Sequence, residues 1–60
     1  MYYILKASKK AFIVVRPNEL IITPDYTEAT QYNTIGEAMK AAANVNKALG
    51  SHLVKVESVG

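Results

Sequence analysis

The residues that could carry out catalysis are few and lie far apart along the chain. Ser8, Asp25 and His52 supply the residue types of a hydrolase triad, in which histidine takes the proton of a serine nucleophile and a carboxylate orients the histidine. A nucleophile of this kind stands in a Gly-x-Ser-x-Gly turn between a strand and a helix, and no such context surrounds Ser8. The sequence therefore does not support a triad.

Paired carboxylates and metal ligands are equally sparse. Asp25 and Glu28 could stand on one loop, but general acid and base catalysis needs a cleft that desolvates one of them, and 60 residues leave little volume for a cleft. His52 is the only histidine, and there is no cysteine to share a metal ion with it. Three glycines in the whole chain cannot build a phosphate-binding loop. We predict that the chain is not an enzyme and uses no cofactor or metal.

The composition favours a single folded domain over residues 1–60. Half of the residues are apolar and 20% are charged, a high apolar share for a chain whose size allows burial of only about 60% of its unfolded surface. No uncharged apolar run approaches the roughly 20 residues that span a bilayer, and the first residues lack the order of a signal peptide. The absence of cysteine fits a reducing compartment. We expect no membrane segment and a cytoplasmic location.

Hydrophobic periodicity predicts four strands. Aromatic and β-branched side chains dominate two of them, a third is short and bracketed by Pro17 and Pro24, and the last alternates valine with charged residues. The polar stretch 25–33 has no clean period and is predicted to be a loop. The four predicted strands are residues 2–7, 11–16, 20–23 and 53–57.

One helix is predicted between the third and fourth strands. Thr34 and Glu37 have the spacing of a capping box that starts it, and Gly50 ends it in the left-handed conformation. Asn46 interrupts the apolar stripe; we favour a marginal side chain that bonds backbone or water over a buried contact across an interface. The apolar stripe itself consists of Ile35, Ala38, Met39, Ala42, Val45 and Leu49.

These elements predict an α+β fold with a four-stranded mixed sheet. A right-handed crossover through the helix makes the last strand parallel to the third and the first, in the spatial order 3-2-1-4. The helix then covers one sheet face and leaves the other bare. Because this bare face needs a cover, we expect a homodimer built on it. The candidate interface residues are Tyr2, Ile4, Phe12 and Val14, although alternation alone does not decide which set of side chains is uncovered.

Residues 28–38 resemble a recurring segment of small proteins from phages and prophages of Gram-positive bacteria. The shared pattern, Ala-x-x-aromatic-x-Thr/Ser-x-x-Glu-Ala, runs here from Ala29 to Ala38, and the aromatic start and valine-rich end of the chain are also similar. The chain departs from the pattern in its alanine-rich helix. The resemblance implies a protein that binds a host protein, such as a CRISPR effector or another defence enzyme, and blocks it.

A second class of function stays open beside the first. A phage replication or transcription module could contact nucleic acid through aromatic side chains bordered by lysines. Against this, the net charge is only +2, and the seven basic residues are spread along the chain and mixed with five acids. A partner protein is therefore the favoured expectation.

Overall fold

Four strands form one antiparallel sheet in a computed structural model that describes residues 1–60. The chain contributes β1 (Tyr2–Ser8), β2 (Ala11–Arg16), β3 (Glu19–Thr23) and β4 (Lys55–Val59). Their spatial order is β3-β2-β1-β4. The predicted α+β class and the predicted strand order are both confirmed.

One helix, α1 (Ile35–Leu49), packs on one face of the sheet against β1 and β4. The Thr34 hydroxyl accepts a hydrogen bond from the Glu37 amide at 3.2 Å, so the threonine half of the predicted capping box forms, whereas the Glu37 carboxylate does not bond back to the Thr34 amide. Gly50 ends the helix at φ 64° and ψ 35°, the left-handed conformation that glycine adopts without strain. Neither α1 nor the short 3-10 turn at Tyr26–Glu28 has the length and apolarity of a membrane-spanning helix.

The expectation of a mixed sheet is wrong, because β4 runs antiparallel to β1. Tyr2 lies opposite Val59, and Lys6 lies opposite Lys55. The prediction assumed that the helix would return the chain to the end of the sheet where β1 and β3 begin. That return is instead made by the segment before the helix. α1 then runs back toward the β1–β2 turn, and β4 has to start there.

The segment before the helix passes through the sheet between β1 and β2, and we call residues 30–32 the crossing segment. On the β2 side, the Thr30 amide donates to the Ile13 carbonyl at 3.2 Å, and the Thr30 hydroxyl accepts from the Val15 amide at 2.7 Å. On the β1 side, Tyr32 and Tyr3 exchange two backbone hydrogen bonds of 2.8 and 2.9 Å. The crossing segment thus replaces direct pairing of β1 with β2 at this end of the sheet.

The two strands pair directly only near their turn. The register there joins Lys6 to Phe12 and Ser8 to Ala11, with an irregularity between the two pairs. Beyond Lys6 the strands diverge, which opens the gap that the crossing segment fills.

Two cores lie on opposite faces of the sheet. Adjacent residues of β1 divide between them: Leu5 belongs to the core under α1, and Ile4 to the core on the other face, which we call the second face. Ala29 covers Ile4 and Phe12 on the second face, where all three are buried. The expectation that this face has no cover is therefore wrong, because the chain after β3 lies over it before crossing the sheet.

Candidate interaction surface

The residue types of a catalytic triad are present but not assembled. Ser8 and His52 are exposed, and no hydrogen bond joins either of them to Asp25. The chain contains no group of three or more histidine, cysteine, aspartate or glutamate side chains that could hold a metal ion. Ser8, Asp25 and His52 are therefore not assembled as a triad.

The two loop carboxylates stabilise the turn that follows β3. Asp25 accepts hydrogen bonds from the Thr27 hydroxyl at 2.6 Å and the Thr27 amide at 2.9 Å. These two bonds hold the pKa of Asp25 below its ordinary value, and the bond from the Thr27 hydroxyl contributes more than the bond from the amide. Glu28 accepts from the Thr23 hydroxyl at 3.2 Å. Both carboxylates thus hold the segment that covers the second face.

The predicted interface residues are largely enclosed by the chain itself. Ile4 is fully buried and Phe12 is 7% exposed, while Tyr2 and Val14 are half-buried. The Tyr26 ring stands edge-on to Phe12, with ring centroids 6.2 Å apart. Ile4 is therefore fully enclosed, and Phe12 offers only a small part of its surface to a partner.

Asn46 uses its carboxamide as a strand would use a peptide group. Its side-chain nitrogen donates to the Val54 carbonyl, and its side-chain oxygen accepts from the Val54 amide, both at 3.0 Å. The Ser51 hydroxyl donates to the same oxygen at 3.2 Å. The favoured interpretation, a marginal side chain that bonds backbone, is confirmed.

The largest apolar side chains of the helix are exposed rather than buried. Ile35 and Met39 are 54% and 59% exposed, while the buried helix residues are Ala38, Ala42 and Val45. Small side chains at the centre of the stripe let α1 approach the sheet closely. Ile35 and Met39 instead lie beside Val54 and Val56, next to the edge strand β4.

An open depression of about 440 Å³ lies beside α1 and β4. Its apolar lining consists of Ile35, Met39 and Ala43 on α1, Val54 just before β4, and Val56 on β4. We call this surface the α1–β4 flank. Leu53, which precedes it in the loop, is 70% exposed. Sequence reasoning missed the flank because the helical period identifies an apolar stripe but not how much of it the sheet covers.

Lysines surround a second depression, at the β1–β2 turn. Its volume is about 450 Å³. Its lining includes Lys6, Lys9, Leu53, Lys55 and Glu57. Glu57 is the only acidic side chain among these residues, and it pairs with the Lys6 ammonium at 3.5 Å. The depression therefore carries a surplus of positive charge.

Two surfaces of different character adjoin on this side of the molecule. The α1–β4 flank is apolar, the neighbouring depression is basic, and the two meet at Val56 and Lys55. In comparisons with protein-family models, curated proteins and solved structures, the chain has no significant match.

Proposed function

We propose that the chain is a small protein-binding module and that the α1–β4 flank is its binding surface. The observation that carries the proposal is the exposure of Ile35 and Met39, which line one depression together with Val54 and Val56. Large apolar side chains grouped on a small surface are typical of sites that another protein covers. A partner that covers them would remove this surface from water, which is the main favourable contribution in most protein association.

The resemblance of residues 28–38 to phage and prophage proteins indicates the kind of partner that the module would bind. In a phage setting the module binds a host protein, such as a CRISPR effector or another defence enzyme, and blocks it. Blocking requires a complementary surface and no turnover. The absence of an assembled triad or metal cluster is compatible with such a role.

An affinity pull-down from lysates of Gram-positive bacteria tests the proposal. Three baits are compared: the unchanged chain, the Met39→Glu variant and the Lys40→Glu variant. Met39 lies on the flank, and Lys40 is the next residue, exposed and outside the flank. We expect one host protein to be retained by the unchanged chain and by Lys40→Glu, and to be lost with Met39→Glu.

The matched variants separate surface chemistry from folding. Both place a new carboxylate on an exposed helix position, so both should keep the amide spectrum of the folded chain. If Met39→Glu retains the same host protein as the other two baits, the flank is not the binding surface. If no bait retains any protein specifically, the proposed function is wrong for these hosts.

A second candidate function follows from the lysines at the β1–β2 turn. A replication or transcription module could bind the phosphates of a single strand at Lys6, Lys9 and Lys55. Affinity for a single-stranded oligonucleotide would then fall steeply with added salt, because bound counterions are released from the phosphates. It would also fall in the Lys9→Glu variant while remaining unchanged in Met39→Glu.

A further inference from the structure

The outer edge of β4 carries backbone groups that no other strand of the chain uses. Tyr3 directs both its N–H and its C=O to Tyr32, on the side of β1 away from β4. In an antiparallel ladder, opposed residues alternate between pairs that exchange two bonds and pairs that exchange none. Ser58 lies opposite Tyr3, and Val56 lies opposite Leu5, two residues along. The N–H and C=O groups of Val56 and Ser58 therefore point outward, away from β1.

β4 is the sheet edge that is more open to another strand. β3, the other edge, follows Pro17 and ends before Pro24, and proline has no backbone N–H to donate. β4 contains no proline. The Asn46 carboxamide occupies the outer side of Val54, where it bonds both backbone groups. An added strand can therefore pair with Val56 and Ser58 but not with Val54.

We infer that a second copy of the chain occupies this edge, with the two β4 strands antiparallel and Ser58 opposite Ser58. The inference rests on the proposed function in so far as the α1–β4 flank is a protein-binding surface, and it names one partner of that surface. A two-fold axis between the two Ser58 residues relates the copies. Two four-stranded sheets then join into one of eight strands, with both helices on the same face.

The register follows from the residues that each alternative brings together. Val56 and Ser58 can be matched between two antiparallel copies in three ways. Val56 opposite Val56 sets Ser58 against Val54, whose outer side the Asn46 carboxamide already fills. Val56 opposite Ser58 sets Glu57 against Glu57, and like charges directly opposite each other destabilise a strand pair. Ser58 opposite Ser58 avoids both conflicts.

The charged side chains of β4 tolerate this register. Glu57 faces Val59 of the second copy, and the two Glu57 residues are diagonal neighbours about 7–8 Å apart. Each Glu57 carboxylate is paired with the Lys6 ammonium of its own chain at 3.5 Å. Lys55 lies three residues from the axis, so the two Lys55 residues are about 20 Å apart, well beyond the screening length of about 8 Å at physiological salt.

The second copy covers the apolar flank as well as the strand edge. α1 packs over β1 and β4, so the two helices of a pair would be about three strand spacings, or about 14 Å, apart. Helices in direct contact pack about 8–10 Å apart, so only large side chains bridge the wider distance. Ile35 and Met39 are the large side chains on this side of α1, and both are more than half exposed. They fill the space above the paired strands from both sides.

An extended segment of an unrelated protein fits this surface less completely. Such a segment supplies a strand but no second helix, and it leaves Ile35 and Met39 open on their outer side. The second copy brings a strand and an apolar helix flank together, at the spacing that the strand pairing sets. Because the lining of the flank that meets its counterpart is apolar, the contact of like with like involves no charge repulsion.

The second copy and a host protein compete for the flank. The paired strands overlap over residues 56–60, about 17 Å of strand, and small interfaces belong to weak and transient associations. A host protein that binds more tightly displaces the second copy. The dimer is therefore the state that covers the flank while the host protein is absent.

Sedimentation equilibrium and hydrogen exchange of the free chain test the inference. We expect the average mass to rise from one chain toward two between about 10 μM and 1 mM, the range of a weak interface. Over the same range, exchange of the Val56 and Ser58 amides should slow by roughly tenfold. A chain that stays monomeric throughout, or that associates without protection of these amides, overturns the inference.

Two pairs of variants assign the association to the strand edge and to the flank. Ser58→Pro removes an N–H that bonds nothing within the chain, so it should weaken association at least about tenfold while the chain stays folded. Ser58→Ala keeps the N–H and should weaken it less than about twofold. Met39→Glu should also weaken association about tenfold, and Lys40→Glu, exposed and outside the flank, should not. Equal association of Ser58→Pro and Ser58→Ala overturns the pairing.

A single introduced thiol tests the register, because the chain has no cysteine of its own. Ser58→Cys places the two thiols on opposed residues with Cα atoms about 5.5 Å apart, within the reach of a disulfide. Lys55→Cys places them about 20 Å apart and is the control for random collision. We expect mild oxidation to give a covalent dimer from Ser58→Cys at least about tenfold faster. Equal rates would show that Ser58 does not lie opposite Ser58.

Retention of a host protein separates this inference from the proposed function. Ser58→Pro keeps the side chains of the flank, so a bait that carries it should retain the host protein although it no longer pairs. If the chain never pairs while Met39→Glu still loses its host protein, the proposed function stands and the pairing is wrong. If the chain pairs as expected and no bait retains a host protein, the pairing stands and the host partner is wrong.

Discussion

At the scale of single residues, Asn46 shows how one side chain can take the place of a neighbouring strand. A carboxamide carries a donor and an acceptor in one plane, as a peptide group does, and so it can bond both backbone groups of Val54. The sequence indicates that an amide in an apolar stripe needs partners. It does not identify them, because the path of the loop from Gly50 to Val54 brings them into reach.

Replacing Asn46 with alanine should lower the free energy of unfolding by about 2 kcal/mol, because the half-buried amide and carbonyl of Val54 lose their partners. Asn44→Ala is the control, since Asn44 is exposed on the same helix. Denaturant unfolding of both variants measures the difference. Equal stabilities would show that water replaces the Asn46 bonds without cost.

Asp25 should titrate below its ordinary value of 3.8, because the Thr27 hydroxyl and amide bond its charged form. Its contribution to stability is therefore fully present above that value and is lost as the pH falls through the folded pKa. Thr27→Val removes the hydroxyl bond and should bring the pKa back toward the ordinary value. Carboxyl chemical shifts followed against pH check this, and an identical titration in the variant would contradict it.

At the scale of elements, local sequence signals predict the bounds of the helix accurately and the bounds of the last strand less accurately. The threonine cap and the left-handed glycine bound α1 as expected. The last strand was predicted over residues 53–57 but is Lys55–Val59. Asn46 binds Val54 outside the ladder, and Tyr2 extends the pairing to Val59. Both differences come from contacts between elements that the local sequence pattern does not describe, because the alternation of residues within a strand says nothing about what lies beside it.

Thr34→Ala should lower the free energy of unfolding by about 1 kcal/mol, because the Glu37 amide loses its acceptor at the start of α1. Thr34→Ser keeps the hydroxyl and should cost much less. Thermal unfolding followed by circular dichroism compares the two. Equal losses in both variants would mean that the threonine methyl group, rather than the cap, matters.

The crossing segment could not be predicted, because its bonds join residues far apart in sequence. Residues 25–33 are polar and without period, which indicates a loop but not its route. Thr30 bonds Ile13 and Val15 on β2, and Tyr32 bonds Tyr3 on β1. Only these long-range bonds define the path through the sheet.

Thr30→Val, which keeps the shape and removes the hydroxyl, should lower the free energy of unfolding by about 2 kcal/mol, because the Val15 amide is left without an acceptor inside the sheet. Thr30→Ser restores the hydroxyl and is the matched control. Hydrogen exchange of the Val15 amide gives a local measurement beside denaturant unfolding. Unchanged exchange in Thr30→Val would show that the bond contributes nothing.

At the scale of the whole molecule, both sheet faces are covered by the chain itself. The high apolar share of the chain correctly indicates surplus apolar surface, but the expectation of a bare second face places that surface on the wrong side of the sheet. Ile4 and Phe12 are enclosed on the second face, whereas Ile35 and Met39 stay exposed on the helix side. A homodimer stays a prediction, and one that buries Ile4 against a second copy would require residues 25–29 to move away.

Ile4→Ala should therefore act on folding rather than on association. We expect a loss of about 3 kcal/mol in the free energy of unfolding, because a fully buried side chain leaves a cavity. Ile22→Ala, at a position that is 61% exposed, is the control and should change stability little. Denaturant unfolding and sedimentation are measured together. A stable Ile4→Ala chain that merely dissociates from a dimer would restore the original interface.

The divided sheet also has a consequence for the order of folding events. β1 and β2 are neighbours joined by a short turn, and such hairpins close within about 1–10 μs. Full closure would continue past Lys6 and Phe12 to bring Ile4 opposite Val14, yet the native sheet needs those strands apart so that Thr30 and Tyr32 can enter. The completely zipped hairpin is thus incompatible with the native sheet, and it has to open before Thr30 and Tyr32 can form their bonds to β2 and β1.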